Sequence, residues 1–196
     1  MLKRLVDIVF SLTGLVILSP LLLLISLGIA FNSRGGIFYL QSRVGRNNAD
    51  FKLFKFRTMH PDSEKKGLLT VGGKDPRITG IGYYLRKYKL DELPQLLNVL
   101  LGNMSLVGPR PEVRRYVDLY DEDQKKVLAV KPGITDFASL EYFNENELLA
   151  KSSDPEQVYV TEIMPAKLAL NKRYITEASL GTDLKIIFRT LKRILS

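Results

Sequence analysis

The sequence predicts a mostly helical α+β chain: an N-terminal membrane helix, then a small β-hairpin, then a largely helical remainder. Three observations predict it. Leu5 to Phe31 is apolar apart from Asp7 and a few small polar residues, two short apolar and basic segments lie between Ile37 and Thr58, and helical spacing dominates after them. At 196 residues the chain has room for one domain with a sizeable core beside the membrane segment, and no repeat or low-complexity linker marks a second. The expected division is a membrane-embedded part over 1–34 and a second part over 35–196. The net charge of +8 favours anionic partners, whether phosphorylated substrate, acidic lipid or nucleic acid. Without cysteine there is no disulfide, thiolate metal site or thiol nucleophile, and the single histidine, His60, excludes a multi-histidine metal cage. No nucleic-acid fold signature accompanies the charge, so nucleic acid is not an expected partner.

The N-terminal segment is long enough to cross a hydrocarbon core of roughly 30 Å. Its apolar run lacks the cleavage site of a signal peptide. Lys3 and Arg4 precede it and Arg34, Arg43 and Arg46 follow, so the positive-inside rule favours no crossing. Near the middle stands Ser19-Pro20. Pro20 has no N–H for the carbonyl of Val16, so a kink is expected where Ser19 back-bonds to Leu15 or Val16. A kinked spanning helix and a re-entrant helix both fit these residues. Gly35-Gly36 then makes a turn, and Ile37-Phe38-Tyr39-Leu40 and Phe51 to Thr58 read as two strands of a hairpin. Pro61 to Arg77 reads as a polar surface loop.

Asp91 and Glu92 open a leucine-rich run. Pro94 restricts the helix start, Leu93, Leu96, Leu97 and Leu100 fall on one face, and Gly102 supplies a stop. Acidic residues at a helix start are commonly caps. Here the free N–H groups of a first turn would also hold an anion such as phosphate, and Lys55, Arg57, Arg86, Lys87, Lys89 and Arg110 crowd the same half of the chain. After Pro111, Val113, Tyr116, Val117 and Tyr120 repeat a helical spacing, and Lys131-Pro132-Gly133 breaks the chain. At the C terminus Leu184, Ile187, Phe188, Leu191 and Leu195 form an apolar stripe beside Lys185, Arg189, Lys192 and Arg193. Such a helix fits an anionic membrane surface and equally a core-packed helix with a solvated basic face.

The run Asp91-Glu92-Leu93-Pro94-Gln95, continued by Gly102-Asn103-Met104-Ser105-Leu106-Val107-Gly108-Pro109-Arg110-Pro111-Glu112, resembles the signature of the bacterial sugar transferases, the monotopic polyprenyl-phosphate phosphoglycosyl transferases. The resemblance runs from Lys3 to about Thr190 and is strongest from Thr79 to Glu112. It implies a helix broken at Ser19-Pro20 that enters and leaves one leaflet, a cytoplasmic-face domain on the bacterial inner membrane, and helices packed on the membrane face. It also implies transfer of a phosphosugar from a UDP-sugar to polyprenyl (undecaprenyl) phosphate, releasing UMP and starting a lipid-linked glycan. In that scheme Asp91 is the nucleophile and a ligand of Mg2+, and Glu92 is a base or orienting group. Arg86 and Arg110 grip phosphate, and Lys55 matches a basic strand of the same site. Asp183 also matches, as a structural cap or otherwise. His60 reads as an ordinary loop residue. After Thr135 the chain departs from the family, with Asp136 where many relatives continue with glycine and no Lys or Arg between Lys131 and Lys151. Two rival readings differ in outcome: an ordinary glycosyltransferase would release nucleoside diphosphate, and for a basic membrane-bound interaction module Asp91 would be dispensable.

Overall fold

The chain is seen in a computed structural model that describes residues 1–61, 63, 69–72 and 75–195. Part of the loop expected between Pro61 and Arg77, including Gly73, and the side chain of Leu195 lie outside the described residues. The architecture is mostly helical α+β, as expected, with an apolar N-terminal helix.

Helix α1 runs over Leu2–Asn32 and contains Pro20. Ser19 Oγ donates to the Val16 carbonyl at 2.8 Å, so the acceptor that Pro20 cannot serve is satisfied by its neighbour. The helix is long and apolar enough to cross a membrane, with a mean hydropathy of 2.6 over its most apolar window. Its length of about 46 Å is not free of the domain. Asp7, Ser11, Ile25 and Ile29, spaced as one helical stripe, are buried, while Val9, Leu12, Val16, Ile17, Leu23 and Leu24 on the other faces are exposed.

The hairpin pairs β1 (Phe38–Val44) with β2 (Asp50–Phe56), from Phe38 opposite Phe56 to Val44 opposite Asp50. Strand β1 extends past the expected Leu40 because the register carries Gln41, Ser42 and Arg43 into the ladder. Thr79 then caps α2 (Gly80–Lys87), accepting from Gly82 N at 3.1 Å. Helix α3 (Gln95–Leu101) follows, stopped by Gly102 at φ 93.

The buried face of α3 corrects the sequence reading. Gln95, Asn98 and Val99 are buried, whereas the leucines are half-buried and Leu101 is exposed. The cause is Asn98, which accepts from Phe54 N at 2.9 Å and donates to Lys52 O at 2.7 Å, pairing with the free edge of β2 as a further strand would.

Strand β3 (Ser105–Val107) pairs in parallel with β4 (Gly133–Thr135), a pairing that the Lys131-Pro132-Gly133 break did not announce. Helix α4 (Arg114–Val117) is a single turn, and Val113, Tyr116, Val117 and Tyr120 all enter the core as their spacing predicts. The short helices α5 (Phe137–Glu141), α6 (Glu145–Leu149) and α7 (Pro155–Val158) lead through a π turn into α8 (Met164–Glu177). The last helix, α9 (Leu180–Leu195), buries Asp183 and Ile186, while Leu184, Phe188 and Leu191 of the expected apolar stripe stand exposed.

Helix α1 is tied to this body at both ends. Asp7 accepts from Ser105 Oγ at 3.1 Å and Leu106 N at 3.0 Å, Lys3 pairs with Asp183, and Arg4 donates to the last-turn carbonyls of α3 at Val99 and Leu100. At the far end Ile25 and Ile29 pack with Phe56 and Leu85, and the Arg57 guanidinium donates to the Ser33 and Arg34 carbonyls. Asp7→Ala would leave the half-buried Leu106 N–H without its acceptor, at about 1–3 kcal/mol. Thermal unfolding of the detergent-solubilised chain should show a midpoint lowered by roughly 3–10 °C, and an unchanged midpoint would deny Asp7 its anchoring role.

Candidate active site

The catalytic candidates are positioned by the turn between α2 and α3. Lys89 takes a left-handed conformation, φ 55, and reverses the chain into a 3-10 turn, Leu90–Glu92. The expectation of free first-turn amides is corrected in part. Glu92 N and Leu93 N donate to the Lys89 and Leu90 carbonyls, and Leu96 N and Leu97 N to those of Leu93 and Pro94.

Glu92 sits in a fork. Arg110 donates to both of its oxygens, through Nη1 at 3.1 Å and through Nη2, and Lys55 Nζ donates to Oε1 at 3.2 Å. Burial opposes the charge of Glu92, but Arg110 and Lys55 outweigh it and hold the carboxyl well below the usual range. Burial draws the Lys55 ammonium downward, against the pull of Glu92. Asp91 differs: it is 7% exposed, and no hydrogen bond to its carboxylate occurs among the described residues. Burial and then the Glu92 charge push its carboxyl up, against Lys55, Arg86 and Lys89. The adjacent carboxylates thus have opposite tendencies, one clamped as an anion and one desolvated.

Arg110 owes its place to a tight backbone crossing. A Cβ on Gly133 would lie 2.0 Å from Gly108 N, so β3 and β4 cross where only glycine fits. Gly108 N donates to Thr135 O at 3.1 Å and Gly133 N to Pro109 O at 3.0 Å. Asp136, fully buried, accepts from Arg110 N at 3.1 Å and Ser139 N at 2.6 Å. Asp136 therefore holds the loop that carries Arg110.

Asp91, Glu92, Lys55, Arg86 and Arg110 line one cavity of about 880 Å3, within the range of ligand pockets. Arg86 donates through Nη2 to Thr70 Oγ1 at 3.1 Å, while its buried Nη1 has no hydrogen-bond partner among the described residues. Arg57, grouped on sequence with the phosphate cations, instead spends its guanidinium on the exit of α1. Asp183 accepts from Lys3 and from Tyr174 OH at 2.7 Å, a tie between α1, α8 and α9. Ser19 and Pro20 lie exposed on α1, away from this cluster.

Other cavity residues carried no role on sequence. Arg43 pairs with Glu112 at 2.9 Å, Tyr159 OH donates to Glu112, and Lys167 pairs with Glu145 at 2.7 Å. Arg43 had registered only as flanking charge and Glu112 only as part of a motif. Their pairing joins segments far apart in the chain.

As a metal site the cluster offers little by itself. No group of three or more acidic, histidine or cysteine side chains among the described residues could hold an ion. One unpartnered carboxylate, Asp91, still fits Mg2+, which takes one or two carboxylates and completes its shell with water and substrate phosphate.

Asp91→Asn should stabilise the fold near neutral pH. The folded-state pKa lies above its unfolded value, so the ionised form costs stability at high pH and the cost vanishes as pH falls below about 4. The midpoint should rise by about 2–4 °C for each kcal/mol relieved, and the difference should close in acid. A fall at neutral pH would show that Asp91 supports the fold.

Residues 1–196 match the family described as bacterial sugar transferase. The UDP-N-acetylgalactosamine-undecaprenyl-phosphate N-acetylgalactosaminephosphotransferase of Aeromonas hydrophila is 36% identical over 197 residues, covering 99% of this chain and 44% of that protein. The undecaprenyl-phosphate glucose phosphotransferase of Komagataeibacter xylinus is 39% identical over 198 residues, 97% of this chain and 35% of that one. An exopolysaccharide production protein of Rhizobium leguminosarum bv. phaseoli is 38% identical over 197 residues, 97% and 93% of the two chains. The chain thus spans less than half the length of the first two and nearly all of the third. Matched from end to end, the chain belongs to the bacterial sugar transferase family.

Proposed function

We propose that the chain transfers a phosphosugar from a UDP-sugar to polyprenyl (undecaprenyl) phosphate, releasing UMP and initiating assembly of a lipid-linked glycan. The observation that carries this reading is the shared cavity, where a desolvated aspartate, the cations Lys55, Arg86 and Arg110, and the apolar N-terminal helix meet. Phe10, Gly14 and Leu18 of α1 line the same space as Asp91, so the cavity is walled by the helix that faces lipid. That wall suits an acceptor whose tail stays in the membrane. The relatives named as undecaprenyl-phosphate sugar phosphotransferases support the same substrates.

In the first half-reaction an Asp91 oxygen attacks the phosphorus nearest the sugar. A new O–P bond forms as the bond to the bridging oxygen breaks, and its electron pair leaves with UMP. In the second, an oxygen of polyprenyl phosphate attacks the same phosphorus, frees the Asp91 carboxylate and yields the polyprenyl diphosphate sugar. Burial strips water from Asp91 and raises its basicity, which favours attack. Arg110 and Lys55, poised on Glu92, are the donors an incoming diphosphate would meet, and Arg86 Nη1 is a buried donor for the same charge. Glu92 is then an orienting anion, since Arg110 and Lys55 hold its carboxyl too acidic for a general base. A bound Mg2+, held by Asp91 and phosphate oxygens, would neutralise diphosphate charge. For the membrane part, the buried stripe and two-ended anchoring of α1 support a helix that returns to one leaflet at Ser19-Pro20, on the cytoplasmic face of the inner membrane.

Asp91→Asn should abolish release of UMP from UDP-sugar, with or without lipid acceptor, while wild type acquires a phosphosugar on Asp91 that polyprenyl phosphate discharges. Release of UDP would move the chain to the ordinary glycosyltransferases, and full function in Asp91→Asn would leave it an interaction module. The pH profile gives a second test, because the acid limb follows ionisation of Asp91. Lys55→Met removes a stabilising positive charge and should move that limb to higher pH, whereas Glu92→Gln removes a negative one and should move it lower. Shifts of the same sign in both variants would contradict the assignment. For topology, cysteines placed at Leu2 and Asn48 should both resist labelling from outside intact cells. Labelling at Leu2 alone would establish a spanning helix.

A further inference from the structure

The wall of the cavity formed by α5, α6 and α8 differs in kind from the phosphate side. Lys167 and Asn171 stand one turn apart on α8, and both line the cavity. Asn171 is 5% exposed, and its Oδ1 is buried with no hydrogen-bond partner among the described residues. Among the same residues the buried Oγ of Ser139 on α5 also has no partner. Between them Lys167 Nζ donates to Glu145 Oε2 at 2.7 Å and lies 5.2 Å from the Tyr159 ring centre. This wall is near the reacting centre, since Glu145 adds to Glu92 in keeping Arg110 charged.

The chemistry of the wall argues against a second phosphate site. Lys167 and Glu145 cancel in charge, and what remains is an amide, a hydroxyl and the free lone pairs and protons of the ion pair. The wall thus holds both donors and acceptors, which a neutral polyhydroxyl ligand can satisfy. An unpaired buried acceptor costs about 1–3 kcal/mol, a cost that a ligand O–H or N–H would remove. The relatives point the same way. One is named for N-acetylgalactosamine and another for glucose although they share a family with this chain. Whatever separates those sugars must lie outside the shared phosphate chemistry, and Ser139 and Glu145 line the cavity with Lys167 and Asn171.

Resting on the activity proposed above, we propose that Ser139, Glu145, Lys167 and Asn171 form the subsite that reads the hydroxyl and amide substituents of the donor sugar. The residues would discriminate between sugars and leave the nucleoside to another part of the cavity.

The test is donor binding by the full detergent-solubilised chain, using UDP-glucose, UDP-galactose, their N-acetylated counterparts and UMP alone. In wild type the four UDP-sugars should bind unequally. Asn171→Ala, Glu145→Gln and Lys167→Gln should each change the ratio of best to worst sugar by about tenfold, one hydrogen bond of discrimination, with UMP affinity held within about twofold. Asn171 is buried, so if Asn171→Ala does not fold, the Glu145 and Lys167 variants decide alone. An unchanged sugar ranking in the variants overturns the subsite, as does a wild type that does not distinguish the sugars. UMP affinity falling in step with UDP-sugar affinity assigns the wall to the nucleoside and overturns it too. A wild type that binds none of these nucleotides removes the proposed activity itself, and the subsite with it.

Discussion

One constraint organises the molecule: α1 must present apolar side chains outward and still be held along one protein surface. Hydrophobic contact alone would hold it poorly, because in lipid an apolar helix gains little from burying apolar side chains. The ties are accordingly polar at both ends, Asp7 with Ser105 and Leu106, Lys3 with Asp183, Arg4 on the end of α3, and Arg57 on the exit of α1. These bonds reach β3, α3, α9 and β2. The elements that carry the site are therefore gathered around the helix.

The electrostatics of the site follow from that gathering. Asn98 pairs with the edge of β2, which sets α3 against the hairpin and brings Lys55 to Glu92. The Gly108–Gly133 crossing and Asp136 aim Arg110 at the same carboxylate from the other side. With two cations on Glu92, its neighbour Asp91 is left desolvated and unpaired, the state a carboxylate nucleophile needs. A buried ion cluster of this kind adds little to stability; what it does is hold Arg110 and Lys55 in fixed positions around Glu92.

The remaining cavity wall is built by α5, α6 and α8. It supplies neutral, directional polar groups where the opposite wall supplies charge, and the two sides suit different parts of one substrate. Leu184, Phe188 and Leu191 stand exposed on α9, while Asp183 and Ile186 are buried.

By itself the sequence determined the class of the fold, the apolar helix with its Ser19-Pro20 step, the hairpin, and the Asp91-Glu92 pair with Lys55, Arg86 and Arg110 as its cations. Those features are local: hydropathy, turn residues and short motifs are written in consecutive positions. The tertiary structure decided what depends on residues distant in the chain. It engaged Glu92 N and Leu93 N in a 3-10 turn and Leu96 N and Leu97 N with the Leu93 and Pro94 carbonyls, so four of the amides beside the acidic pair are already bonded. It turned α3 so that Asn98 and Gln95, not the leucines, face inward, and it diverted Arg57 to a helix end. It also joined Arg43 to Glu112, Lys167 to Glu145, and Asp136 to the Arg110 loop. A polar side chain's role is set by the partner it meets on burial, and that partner is chosen by packing over the whole chain.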